Sequence, residues 1–172
     1  MAGAATAEVR DAAATDLPAL EALHCAAFPD EDPLPLVRAL AGHAEVVSLV
    51  AENADGLAGH VALTICPVAG ATAALLGPLA IAPPDQRRGL GGALIRAGVA
   101  RMRSAGAGAV SVLGDPAYYG RHGFQPETSI APPYPLPEEW RGAWQAIGLS
   151  NARLAGQLQV PAPWQIPSLW GG

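Results

Sequence analysis

Apolar positions fall into two rhythms along this chain. Glu45 to Glu52 (EVVSLVAE) and Gly59 to Cys66 (GHVALTIC) are short runs rich in β-branched residues, and they predict strands. Asn53-Ala54-Asp55-Gly56 between them reads as a turn, so the two strands form a hairpin. Ala71 to Ala82 is a longer apolar run and predicts a central strand, with Gly77-Pro78 marking a bulge. Ala109 to Leu113 predicts a short buried strand, and Val9-Arg10 belongs to a first one. The helical rhythm is clearest from Gly89 to Ala105. There Gly91, Leu94, Ile95, Gly98, Val99 and Met102 share one face, while Arg96 and Arg103 lie off it on the solvent side. Gly106-Ala107-Gly108 ends that helix. The resulting strand–helix–strand crossover predicts parallel pairing of its two strands. Helices are also predicted over Leu17 to Ala27, with Asp16 as N-cap and Pro18 in the first turn, and over Leu34 to Leu40. Asp115 caps a further short helix opened by Pro116.

The pattern changes after Phe124. Ala131 to Pro137 (APPYPLP) reads as a loop, Trp144 to Leu149 as a strand, and Gly156 to Val160 as its pairing partner. All four tryptophans lie between Trp140 and Trp170. They either cover apolar surface near the sheet or wall an acceptor pocket or a homodimer interface. Such apolar content predicts an ordered segment packed on the domain, not a solvated tail.

Composition narrows the class. A length of 172 residues suits one domain, expected over 1–172 with a Pro/Trp-rich extension of the same domain at about 131–172. Hydrophobic residues make up 51% and charged residues 15%, enough apolar content for a sizeable core. The net charge of −5 argues against a nucleic-acid partner, which would favour a basic face. No lysine occurs, a bias of composition and not a mechanism. The N-terminus lacks a basic start followed by a long apolar run, so no secretory signal is expected. The most apolar stretch is interrupted by Gly77-Pro78 and too short to span a bilayer. Cys25 and Cys66 are isolated, as expected of reduced thiols in a cytoplasmic protein, and the four histidines do not cluster as metal ligands would.

Leu79 to Leu94, LAIAPPDQRRGLGGAL, carries the first candidate chemistry. A strand runs into two prolines, then Gln86-Arg87-Arg88-Gly89-Leu90-Gly91-Gly92, then a helix. The first N–H groups of a helix have no internal partner and sit at the positive end of its dipole. Glycines there let a phosphate approach the backbone, and Arg87 and Arg88 add charge and donors. A plain strand–turn–helix with glycines for tight packing would look similar. The loop also lacks the third glycine of G-x-G-x-x-G, and no acidic ribose ligand follows a second strand. A dinucleotide-binding oxidoreductase is therefore poorly supported.

A second motif follows, Asp115-Pro116-Ala117-Tyr118-Tyr119-Gly120-Arg121-His122-Gly123-Phe124. With both motifs in view the chain resembles the GNAT superfamily of acetyl-CoA-dependent N-acyltransferases. That family carries Q/R-x-x-G-x-G/A between its fourth strand and third helix, matched by Gln86, Gly89 and Gly91. It also carries a tyrosine four residues before Gly-Phe, matched by Tyr119, Gly123 and Phe124. The resemblance covers about Val9 to Phe124. The wording LGPLAI…LGDPAYYGRHGF resembles a bacterial branch described as predicted N-acetyltransferases.

The resemblance implies an α/β (α+β) fold with a mixed, mostly antiparallel central sheet, splayed at strands 4 and 5 and flanked by helices. It implies acetyl-CoA as co-substrate, with no metal, and an amine-bearing small molecule or peptide as acceptor. Backbone groups of Leu79, Ala80 and Ile81 would hold the pantetheine arm, and a backbone N–H near Ile81 would polarise the thioester carbonyl. Gln86, Arg87, Arg88, Gly89, Leu90, Gly91 and Gly92 would bind the cofactor, with its pyrophosphate over Arg87 to Gly92. Tyr119 is the candidate general acid for the leaving thiolate, although its ring could instead pack under the cofactor.

A general base is harder to assign. Many members of the family place a glutamate on the fourth strand, but Ala73 to Ala82 contains no ionisable residue. The candidates are Glu21, His24, Asp30, Glu31 and Asp32, with His60 as a further histidine, or a water-mediated route. His24 has a suitable unperturbed pKa, yet both histidines fit structural roles as well. Two functions follow. One is an N-acetyltransferase; the other is a non-catalytic acyl-CoA-binding sensor or partner-binding module. The missing fourth-strand carboxylate favours the module and Tyr119 favours the enzyme.

Overall fold

A computed structural model of the chain describes residues 7–172. The elements are β1 (Glu8–Asp11), α1 (Leu17–Ala27), α2 (Leu34–Leu40), β2 (Val46–Asn53), β3 (Gly56–Val68), β4 (Ala71–Ile81), α3 (Leu90–Ser104), β5 (Ala109–Leu113), α4 (Pro116–Tyr119), β6 (Gln125–Pro126), β7 (Ile130–Ala131), β8 (Trp144–Gly148) and β9 (Gly156–Gln157). A seven-stranded sheet has the order β1-β2-β3-β4-β5-β8-β6. β4 and β5 run parallel, as their crossover through α3 requires. The β1–β2, β5–β8 and β6–β8 pairs are antiparallel. The sheet is thus mixed and mostly antiparallel, with helices between its strands. The β4–β5 register runs from Ala74↔Val110 to Leu76↔Val112 and stops short of Gly77, whose φ of 141° only glycine adopts readily.

The chain folds as two compact units. The first comprises the described residues up to Ala62 together with Pro78–Gly98. Its core forms where Leu20 of α1, Val37 of α2 and Val50 of β2 meet, with Ala12, Leu17 and Leu57 packed around them. Arg10 on β1 pairs with Asp16 at 2.8 Å and with Glu52 at 2.9 Å. Asp16 does not cap α1 as the sequence predicts. Its backbone is already helical, continuing a 3-10 turn, and its carboxylate accepts from Ala13 N and Arg10 instead. Those bonds hold its carboxyl well below the usual range, at about 2.

The second unit comprises Leu63–Gly77 and Val99–Gly172. Trp144, Trp164 and Trp170 are buried in it, and only Trp140 is exposed among the four. The indole N–H of Trp164 donates to Thr64 Oγ1 at 3.1 Å, that of Trp170 to Trp164 O at 3.0 Å, and that of Trp144 to Ile130 O at 2.7 Å. These bonds satisfy the donors that burial takes from water. The segment is therefore ordered and packed, and most of its tryptophans serve as core. The predicted pairing of Gly156 to Val160 with β8 does not occur. Both edges of β8 are taken by β5 and β6, so Gly156–Gln157 pairs with Ile130–Ala131 and Leu158 bridges Val68. Ala131 accordingly belongs to a strand and not to the loop the sequence predicts.

Candidate active site

The loop after β4 is held from several sides. Pro83–Asp85 form a 3-10 turn, Ala82 N donates to Ala58 O at 2.8 Å, and Asn53 Nδ2 donates to Asp85 Oδ1 at 3.2 Å. Gln86 Nε2 reaches back to Ile81 O at 3.1 Å. Arg87 and Gly89 both take left-handed backbone, with φ of 64° and 81°. A non-glycine residue in that region is uncommon and is held there by its surroundings. Gln86, Arg87, Arg88 and Gly89 line the solvent side of the loop, Leu90 is half-buried, and Gly91 and Gly92 are buried as α3 begins. A Cβ on Gly89 would meet no atom within 4 Å. The loop is therefore open, positively charged and set at a helix start, the chemistry an anion needs. Gln86 has a bracing role that spacing did not reveal.

Ala80 is buried, while Leu79 and Ile81 are half-buried. The side chain of Ile81 lies over Gly59 of β3: a Cβ there would come 2.9 Å from both Ile81 Cδ1 and Leu94 Cδ1. Gly59 thus lets the end of β4 and the first turns of α3 close over β3, fixing where the loop between them starts and stops.

Tyr119 ends α4 in the second unit. Asp115 caps this helix, accepting from Ala117 N at 2.9 Å, as predicted. Gly123, left-handed at φ 93°, turns the chain so that Phe124 is buried with its ring against that of Tyr119, centroids 5.6 Å apart. The Tyr-x-x-x-Gly-Phe spacing is therefore a packing unit. Tyr119 is half-buried, and burial together with Tyr118 pushes its pKa up, so its phenol holds its proton at neutral pH. Tyr118 stacks edge-on against Tyr119 and His122, under the Arg121 guanidinium at 5.5 Å.

The base candidates separate. Glu21 is engaged by Arg38 through two hydrogen bonds at 3.0 and 3.1 Å, which hold its pKa down. Asp30, Glu31 and Asp32 are exposed. His24 and His60 are brought together although 36 residues apart: His24 Nε2 lies 2.8 Å from His60 Nδ1. His60 Nε2 lies 2.6 Å from Ser48 Oγ. Both rings are buried. Burial lowers the His24 pKa to about 4; burial and the neighbouring His24 lower that of His60 to about 3. Sequence reasoning missed Ser48. Its signal was a hydroxyl at an inward position, on the face that alternation gives to Val46 and Val50.

Among the described residues no group of three or more His, Cys, Asp and Glu is placed to hold a metal ion, and no helix is long and apolar enough to cross a membrane.

Residues 17–124 match the model of the acetyltransferase (GNAT) family. The chain belongs to the GNAT family. Membership makes it an acetyltransferase. It is 35% identical over 126 residues to the uncharacterized N-acetyltransferase YjhQ of Escherichia coli strain K12, covering 68% of this chain and 70% of that protein. Among solved structures it resembles the GNAT family N-acetyltransferase YhbS from Escherichia coli in complex with CoA, with a TM-score of 0.85, 25% identity and 96% of each chain covered. It also resembles a GNAT family acetyltransferase from Brucella melitensis in complex with acetyl-CoA, with a TM-score of 0.74, 28% identity, and 94% and 99% of the two chains covered.

Proposed function

We propose that this GNAT member moves an acetyl group from acetyl-CoA to the amine of a small molecule or peptide. One observation carries the reading: an open, basic, left-handed loop, braced by Gln86, leads from the end of β4 into α3. The CoA and acetyl-CoA complexes of the two similar structures support the donor. In this reading Arg87 to Gly92 hold the pyrophosphate, and Gln86 keeps the loop in shape. Leu79 to Ile81 offer backbone groups to the pantetheine arm, with the Ile81 N–H polarising the thioester carbonyl. Tyr119 donates to the departing thiolate. Its raised pKa keeps the phenol protonated at rest, the form from which a general acid must start. Neither Cys25 nor Cys66 stands in a disulfide, which fits a reducing compartment such as the cytoplasm.

The test has two arms. Calorimetry measures acetyl-CoA affinity, and a thiol-release assay screens amines, amino acids and peptide N-termini. Tight binding with turnover of an amine supports the enzyme; tight binding without turnover of any amine moves the reading to an acyl-CoA-binding module; no binding ends both. Tyr119→Phe should keep affinity and lower turnover by roughly 10²–10⁴, the usual worth of a positioned general acid.

A further inference from the structure

The first unit contains a polar chain that the acetyl-transfer reading does not use. Ser48 on β2, His60 on β3 and His24 on α1 follow one another at 2.6 and 2.8 Å. They cross an otherwise apolar interior, where a polar group without a partner costs about 1–3 kcal/mol. His24 Nδ1 is buried and has no hydrogen-bond partner among the described residues. Ser48 and His60 also line a small cavity of about 10 Å³, whose walls include Leu20, Val37 and Pro78. That volume suits a single water molecule. Pro78 sits at the break in β4, three residues before Ile81 and so about 10 Å along the strand from it. The cavity thus brings the polar chain to β4, the strand whose end is assigned above to the thioester.

We propose that Ser48, His60 and His24 form a proton relay that takes the proton from the acceptor amine through the cavity beside Pro78. This inference rests on the N-acetyltransferase reading. The short Ser48–His60 separation favours a donating hydroxyl, since O–H donors bond at shorter distances than N–H donors. His60 then accepts at Nε2 and donates from Nδ1 to His24 Nε2. The amine nitrogen bonds to the thioester carbon, and its N–H bond becomes far more acidic. That bond breaks, and the proton passes along water, the last molecule of it in the cavity, to Ser48 Oγ as the Ser48 proton moves to His60 Nε2. His60 shares its positive charge with His24 across their hydrogen bond. The C–S bond breaks with its electron pair on sulfur, and the thiolate takes the Tyr119 proton. Solvent then removes the proton from the relay and restores that of Tyr119. Both rings are neutral at rest at pH 7, so the relay starts empty. A β4 carboxylate is not needed.

Ser48→Ala breaks the entry to the relay, and Ser48→Thr keeps a hydroxyl there. With an amine that the parent acetylates, Ser48→Ala should lower kcat by about 10²-fold or more, leave acetyl-CoA affinity unchanged, and be rescued by Ser48→Thr. Nitrogen-15 NMR of the parent imidazoles at pH 7 should show His60 protonated on Nδ1 and bare on Nε2. Unchanged kcat in a folded Ser48→Ala, or His60 protonated on Nε2, would overturn the relay while leaving the acetyltransferase reading intact. A loss of folding in both variants with the opposite tautomer would also overturn it. Absence of parent turnover with every amine is the separate failure of the acetyltransferase reading, and the relay falls with it.

Discussion

Gly114 lies directly beneath the ring of Tyr119. A Cβ at Gly114 would collide with the ring edge at Cε2 and come within 2.9 Å of Cδ2. Only a residue without a side chain lets the phenol sit where α4 puts it. Gly114 N is also fixed, donating to Ala143 O at 3.0 Å, so the backbone cannot easily retreat. Gly114→Ala should therefore move the Tyr119 ring, cost about 1–3 kcal/mol of stability by overpacking, and lower turnover by roughly 10²-fold through misplacement. In the Tyr119→Phe background the same substitution should lower turnover little further. Full additivity in steady-state kinetics would separate Gly114 from the role of Tyr119.

Gly89 offers a cleaner probe of the anion loop than the buried Gly91. Its left-handed φ is one that Asn and Asp tolerate better than most residues, and a side chain there meets open space. Gly89→Asp and Gly89→Asn should share the same backbone strain but differ by one negative charge. Calorimetry should find acetyl-CoA affinity reduced at least about tenfold in the aspartate variant relative to the asparagine variant, with the gap narrowing in high salt. Equal affinities would remove the phosphate from this loop.

His24 and His60 give the fold an acid weakness that sets in at higher pH than that of Asp16 or Glu21. Their folded pKa values, about 4 and about 3, lie below the ordinary 6.5. The unfolded chain thus binds protons that the fold refuses. Stability should be independent of these groups above about pH 6.5. It should fall as pH drops below that value, by up to about 1.4 kcal/mol per pH unit for each ring, and level off near the folded values. Urea midpoints at pH 7, 6 and 5 would show the slope, and a His24→Gln, His60→Gln double variant should flatten it.

Thr64 anchors the C-terminal segment from 100 residues away in sequence, through the Trp164 indole. Thr64→Val keeps the shape and leaves a buried N–H without an acceptor, a loss of about 1–3 kcal/mol. Thr64→Ser should recover most of it. Thermal melts of the three proteins decide the point.

Local rules made much of this molecule legible. Leu17–Ala27, Leu34–Leu40 and Ala109–Leu113 have the bounds the sequence predicts, because each is a mainly apolar run ended by turn residues and buried along its length or on one side. The two motifs could be read because glycine leaves a mark in sequence wherever backbone must bend or approach closely. The partner of Gly156 was not legible: pairing depends on which strand edges remain unoccupied, and that is settled only when β5 and β6 have both joined β8. The histidine pair was illegible for a related reason. His24 and His60 each looked solitary, and α1 and β3 meet only in the fold.

Every tryptophan and every tyrosine of the chain, from Tyr118 to Trp170, belongs to the second unit. The first unit, with the anion loop and the histidine pair, carries Phe28 as its one benzenoid ring among the described residues. It holds neither of the side chains whose emission is used to follow unfolding. Intrinsic emission therefore arises from no residue of the first unit. Its opening is read directly by probes that see backbone or imidazole, such as amide exchange, far-ultraviolet dichroism or histidine resonances.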